Sequence, residues 1–280
     1  AANVGNPIGL ANKESLVCAG PLLLDLVAQH DQFILPVDSE HWAIFDCIGD
    51  QRDQLKSVFL TASGGPFRGA TKAELKDVTV EDALNHPVWA MGPKITIDSA
   101  TMMNKGLEMI EAAYLFSLKE EQIIPVVHPQ SLIHSAVLWN DGSCTAQLGF
   151  PDMRQPIQGV LSYPEKVPGL AEPFNFLDSR SQTMTFEPID EDVFSCVRLA
   201  RYALRGGGSQ PLVLNAANEV AVEAFLQRKI SFLAIEACVE WTLEQYVGLK
   251  DSPRMSYEAL IDLDKWARET AKEYLDSHVS

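Results

Sequence analysis

The feature that most constrains this 280-residue chain is a change of texture near residue 150. Before it, short β-branched runs alternate with helical spacings. After it, prolines crowd 151–188, and only helical periodicity follows. Residues 33–37, 57–61, 95–97, 123–127, 133–139 and 143–148 read as strands, with Asn140-Asp141-Gly142 as a hairpin turn. Helices are expected at 12–29, broken near Gly20-Pro21, at 80–84 behind a Thr79 cap, and at 100–117. Four more follow at 190–205, 211–228, 231–247 and 256–277. The pattern predicts an α/β (α+β) domain with a mixed sheet, then a Pro-rich linker and a C-terminal α-helical domain. The expected divisions are 1–33, 34–150, 151–188 and 189–280.

Composition narrows the partners. Twenty-two Lys and Arg stand against 38 Asp and Glu, a net charge of −16. A nucleic-acid footprint needs clustered positive charge, so nucleic acid and anionic membrane are not expected partners. No apolar run reaches the ~20 residues that span a bilayer. The five cysteines are widely spaced and include no C-x-x-C, which predicts buried thiols in a reducing compartment, the cytoplasm by default.

Four segments carry possible chemistry. Asp38-Ser39-Glu40 closes an apolar strand, and in extended chain residues i and i+2 project to one face. Two carboxylates so placed repel each other, and a hard divalent cation relieves that repulsion. A polar loop after a strand would show the same residues. In the second segment, Asp98-Ser99 is expected to leave the 95–97 strand and enter a helix. Asn104 and Lys105 then share a helical face with Glu108, and Ser99 with first-turn N–H groups forms an anion site. A solvated polar face is the plainer alternative. Gly106 costs about 1 kcal/mol inside a helix, which implies a close neighbour, either a ligand or packing.

The third segment is Ser63-Gly64-Gly65, which can offer a hydroxyl and backbone N–H groups to a phosphate, though a plain turn would serve equally. It is not a P-loop, since no GKS or GKT follows. The fourth is the irregular run from His86 to Lys94, whose Trp89 and Met91 suit a closing lid or a loop packed on the core. His128, His134 and the cysteines read as structural. Neither a G-x-G-x-x-G turn nor a G-x-S-x-G elbow occurs. Together, Asp38, Glu40 and Glu108 can hold one divalent ion. Ser63, Ser99, Asn104 and Lys105, with His86, supply donors and a cation for a phosphate. That set describes a small phosphorylated polyol or ketose chelated to metal.

Several blocks resemble the 1-deoxy-D-xylulose 5-phosphate reductoisomerase family. They include Ala11-Asn12-Lys13-Glu14-Ser15, Pro36-Val37-Asp38-Ser39-Glu40-His41, Ala62-Ser63-Gly64-Gly65-Pro66-Phe67, and His86 through Gly92. Asp98 through Glu108, His128-Pro129-Gln130-Ser131, residues 147–154 and Leu214-Asn215-Ala216-Ala217-Asn218-Glu219 continue the likeness almost to the C-terminus.

The resemblance implies conversion of 1-deoxy-D-xylulose 5-phosphate to 2-C-methyl-D-erythritol 4-phosphate in non-mevalonate isoprenoid biosynthesis. It implies NADPH and Mn²⁺, Mg²⁺ or Co²⁺ as cofactors, and a homodimer. Asp38, Glu40 and Glu108 would be the metal ligands. Lys13, Ser39 and Glu40 would touch the carbonyl end of the sugar. Ser63, Ser99, Asn104 and Lys105 would grip its phosphate, with His86 beside them and Trp89 and Met91 in the closing loop. Lys13, Asp38, Glu40, Glu108 and His86 would form the catalytic set, and Asn12, Glu14 and Gly92 would meet the nicotinamide. Residues 1–33 would be what remains of a dinucleotide-binding domain whose Gly-rich part is missing, so weakened NADPH binding and little reduction are expected. Two readings stand beside this one: a nucleotide-independent, metal-dependent sugar-phosphate isomerase or aldolase, and a non-catalytic remnant that binds metabolites.

Overall fold

The computed structural model describes residues 7–30, 32–246 and 256–278. The first six residues of the expected remnant, and residue 247 at the end of the expected 231–247 helix, lie outside the described residues. The chain packs as two compact units. One comprises Ala1–Lys13, Leu24–Ser63 and Ala112–Ile189; the other comprises Glu14–Leu23, Gly64–Glu111 and Asp190–Ser280.

The first unit holds both sheets. β1 (Ile8–Leu10) pairs in parallel with β2 (Ile34–Pro36) in the register Ile8–Ile34, Gly9–Leu35 and Leu10–Pro36. A four-stranded mixed sheet runs in the order β4, β3, β5, β6, formed by Ile123–Val127, Leu55–Ala62, Ile133–Trp139 and Cys144–Leu148. β3 is parallel to β4 and antiparallel to β5, and β5 and β6 form the expected hairpin. Its turn needs Gly142, whose φ is 89°. Helix α2 (Ser39–Ile48) lies on β5 and β6. The expected strand at 33–37 shortens to β2, and Phe33 is exposed.

The second unit is helical among its described residues. It contains α3 (Val80–Leu84), α4 (Pro93–Ala100), α7 (Ser195–Gly206), α8 (Gln210–Leu226), α9 (Phe232–Gln245) and α10 (Tyr257–His278). Thr79 caps α3 through a full capping box with Asp82, as the sequence predicts. α8 is the core helix: α4, α7, α9 and α10 all pack on it. Leu212, Val213, Leu214, Ala217 and Val222 are almost wholly buried.

Two helices contribute to both units. α1 (Lys13–Ala28) bends at Ala19, two residues before the internal Pro21, close to the expected break. α5 (Met103–Phe116) buries Leu107 and Ile110.

Three expectations need correction. Residues 95–97 are helical, inside α4, rather than a strand. Pro93 starts the helix at a position where its missing N–H costs nothing, and the Lys94–Asp98 ion pair at i,i+4 supports it against the β-branched preference of Ile95-Thr96-Ile97. The Pro-rich 151–188 segment contains a helix, α6 (Arg154–Ser162), because Pro156 falls in its first turn. Finally, only Cys196 and Cys238 are buried, Cys18 and Cys47 are half-buried and Cys144 is exposed, although all five cysteines are free, as expected.

Candidate active site

In the first unit the site residues gather where β2 passes into α2. β2 ends at Pro36, Asp38 occupies the N-cap position of α2, and Ser39 and Glu40 form its first turn. Asp38 and Glu40 are therefore joined by a helix start, not by an extended i,i+2 face as the sequence suggested. The helix N-terminus stabilises negative charge at these positions. Lys13, at the first position of α1, is 6% exposed and places its Nζ 2.5 Å from Asp38 Oδ2. Burial alone would raise the Asp38 carboxyl. The Lys13 ammonium, with His41 behind it, outweighs burial and holds that carboxyl well below the usual carboxylate range. Ser39 Oγ donates to Glu40 Oε2 at 2.6 Å. His41, wholly buried, stacks on Phe116 at 6.4 Å. Asn12 is exposed just before α1, and Ser63 follows the last residue of β3.

In the second unit a parallel cluster forms on α4 and α5. On α5, Asn104 Nδ2 donates to Glu108 Oε1 at 2.5 Å, and Lys105 Nζ donates to Glu108 Oε2. The three residues share one face, as their spacing predicts, and Lys105 and Glu108 are almost wholly buried. Gly106, between them, is required by packing: a Cβ there would lie 2.6 Å from Ala200 Cβ and 3.3 Å from Cys196 O.

Ser99 is in the last turn of α4, so its expected place among the free first-turn N–H groups of a helix is also corrected. Its Oγ is instead 3.1 Å from His86 Nε2. The backbone N–H groups of Val88 and Trp89 both donate to His86 Nδ1, at 3.2 and 2.9 Å. Nδ1 is therefore the acceptor, and the proton sits on Nε2, aimed at Ser99. Burial pushes the His86 imidazole below its ordinary value, which keeps this neutral form. The 86–92 loop is thus folded around the His86 ring, with Trp89 and Met91 half-buried. Gly64 and Gly65 have φ of 90° and 66°, and a Cβ on Gly65 would meet Ser99 O at 2.6 Å. Only glycine allows that turn to lie against α4.

Lys94 and Asp98 fall inside segments the sequence marks out, but the sequence gives neither a role, although their i,i+4 spacing is visible. Lys94 Nζ lies 2.7 Å from Glu14 Oε1 and 2.7 Å from Asp98 Oδ2. Burial disfavours the Lys94 charge, but the two carboxylates outweigh it and raise the ammonium above its ordinary value. Gly92, the N-cap residue of α4, is exposed, and a Cβ there would meet nothing within 4 Å. That opening leaves room for a ligand to approach the backbone.

His128 and His134, expected to be structural, are both buried. His128 Nε2 accepts from Leu132 N, its Nδ1 faces Thr185 O at 2.9 Å, and its ring stacks on Phe186. Chemically, the carboxylates of Asp38, Glu40 and Glu108 are hard oxygen donors of the kind that Mg²⁺ and Mn²⁺ accept.

Comparisons with known proteins bear on the family of the chain. The family profile for the 1-deoxy-D-xylulose 5-phosphate reductoisomerase C-terminal domain matches residues 34–116, and that for the DXP reductoisomerase C-terminal domain matches residues 148–270. The 1-deoxy-D-xylulose 5-phosphate reductoisomerase of Chlorobium chlorochromatii is 51% identical over 276 residues, which cover 98% of this chain and 71% of that protein. The solved structure of the reductoisomerase from Zymomonas mobilis in complex with NADPH superposes with a TM-score of 0.91 at 47% identity. It covers 99% of this chain and 71% of that one. A DOX-P reductoisomerase in complex with NADPH, fosmidomycin and magnesium gives a TM-score of 0.91 at 43% identity, over 98% of this chain and 71% of that one. Half of all aligned residues are shared with a protein of that name, and the fold is shared with its solved relatives. The chain belongs to the 1-deoxy-D-xylulose 5-phosphate reductoisomerase family.

Proposed function

We propose that the chain carries out the reaction of its family, the rearrangement of 1-deoxy-D-xylulose 5-phosphate and its reduction to 2-C-methyl-D-erythritol 4-phosphate. The observation that carries this reading is the Lys13–Asp38 ion pair at the start of α2, which couples a cationic donor to an ionised carboxylate. In this reading Asp38, Glu40 and Glu108 ligate a divalent cation, Mg²⁺ as in the solved relatives, with Mn²⁺ and Co²⁺ as substitutes. When bound, the cation supplies Lewis-acid polarisation and NADPH supplies a hydride.

The chain's own residues orient the sugar. Lys13 and Ser39 donate to the oxygens at its carbonyl end, and Glu40 accepts there. Ser63, Ser99, Asn104 and Lys105 hold the phosphate, and the neutral His86 Nε2–H steers the Ser99 hydroxyl toward it. Trp89 and Met91 exclude water from above. Asn12, Glu14 and the open backbone at Gly92 face the nicotinamide.

We assign substrate and metal chemistry to 34–150, a connecting role to 151–188 and a supporting role to 189–280, on the change of texture along the sequence. We also propose a homodimer. Leu161, Leu170, Phe176 and Leu177 of the first unit are 81%, 82%, 69% and 85% exposed, more apolar surface than a monomer usually leaves in one segment. Light scattering should give twice the 30.9 kDa chain mass, and a monomer mass would refute this. Among the described residues no helix is long and apolar enough to cross a membrane. The five free thiols support a cytoplasmic location.

The test is to mix the purified protein with the sugar phosphate, Mg²⁺ and NADPH, and to follow NADPH absorbance and product together. NADPH loss that requires both substrate and cation supports the proposal. Aldehyde formed without NADPH loss would favour a nucleotide-independent isomerase instead, and no binding or turnover would overturn both.

A further inference from the structure

The Asn215-Ala216-Ala217-Asn218-Glu219 block lies on the core helix α8, yet the reaction above gives it no task. Asn218 is wholly buried, and its Nδ2 donates at 2.8 Å to Oδ1 of Asp98, itself 1% exposed. The other oxygen of Asp98 takes Lys94 Nζ at 2.7 Å. The Asp98 carboxylate is thus clamped from two sides, by α8 and by its own helix. Asn218 Oδ1, also buried, makes no hydrogen bond. An orphaned amide carbonyl is costly, so this asparagine is explained by its donor half.

Asp98 and Ser99 are consecutive in α4, a helix of eight residues. So short a helix does not hold its own position and takes it from tertiary contacts. Successive side chains lie about 100° apart around a helix, so fixing Asp98 against α8 fixes the direction of Ser99. Ser99 Oγ is the partner of His86 Nε2, and Ser99 O is the atom that Gly65 closely approaches. A rotation of α4 would disturb both contacts at once.

We infer that Asn218 is a positioning residue for the phosphate-holding pair Ser99 and His86, acting through the carboxylate of Asp98. The inference rests on the role given to that pair in the proposed function. Lys94 holds the same carboxylate and Glu14 together, so it belongs to the same device.

The test compares wild type with Asn218→Leu, which keeps the branched side-chain shape and removes the donor. Affinity for 1-deoxy-D-xylulose 5-phosphate is read by calorimetry in the presence of Mg²⁺, and affinity for Mn²⁺ by its electron paramagnetic resonance signal. Sugar-phosphate affinity should fall about tenfold, the equivalent of one well-placed hydrogen bond, while Mn²⁺ affinity stays within about twofold. If Asn218→Leu does not fold, Asn218→Ser gives the same reading with a short donor, and a fall of the same sign is expected. Unchanged sugar-phosphate affinity in a folded variant overturns the inference alone, as does a parallel loss of both affinities, which would mark a purely structural residue. A wild type that binds neither ligand overturns the proposed function and this inference with it.

Discussion

At the residue scale, the chemistry depends on charges that are buried and partnered. Asp38 illustrates how local physics sets a carboxylate's state: burial works against its charge, and the neighbouring ammonium of Lys13 wins. The Asp38-Ser39-Glu40 triplet was legible in the sequence as a carboxylate pair, but the backbone that joins the pair was not. Pro36 ends β2 and the helix begins three residues later, a boundary that propensity alone does not place. The pairing of Lys94 was not legible for another reason. Its partners Glu14 and Asp98 are respectively 80 positions away and four positions away in a segment that reads as strand.

His134 gives a prediction at this scale. Burial, opposed by backbone carbonyls at Gly149 and Phe150, pushes its imidazole from 6.5 down to about 4. The unfolded chain therefore binds a proton between pH 6.5 and 4 that the folded chain refuses. Stability falls as pH falls through that window, by up to about 3 kcal/mol for this one group. Urea unfolding from pH 7 to 4 should show a shallower slope for His134→Gln than for wild type. Identical slopes would remove His134 as the cause.

At the scale of elements, sequence signals succeeded where they were local and failed where packing overrode them. The Asn140-Asp141-Gly142 hairpin and the Thr79 cap are complete within a few residues, so both were readable. The face of α5 followed from spacing alone. α4 was misread because three residues of high strand preference sit in a helix stabilised by Pro93 and by the Lys94–Asp98 pair. Gly106 sets helix propensity against packing. Gly106→Ala gains about 1 kcal/mol of propensity but drives a methyl into Ala200 and the Cys196 carbonyl. Overpacking of this kind costs about 1–3 kcal/mol, so denaturant unfolding should show a net loss of stability, with α7 pushed away from α5. A more stable Gly106→Ala protein would show that the contact relaxes freely.

At the scale of the whole molecule, the fold class was legible because the mixed sheet and the helical core are segregated along much of the sequence. The two units interleave along the chain, however, and no composition signal marks where α1 and α5 pass from one to the other. The candidate ligands follow the same division, with Asp38 and Glu40 in one unit and Glu108 in the other. The central claim is that these three carboxylates serve a single cation. Titration of Mn²⁺ by paramagnetic resonance tests it most directly. One tight site per chain is predicted in wild type, weakened at least about 100-fold by Asp38→Asn, Glu40→Gln or Glu108→Gln taken singly, because each removes a first ligand from a hard-oxygen site. A folded Glu108→Gln protein that binds Mn²⁺ as tightly as wild type would contradict it.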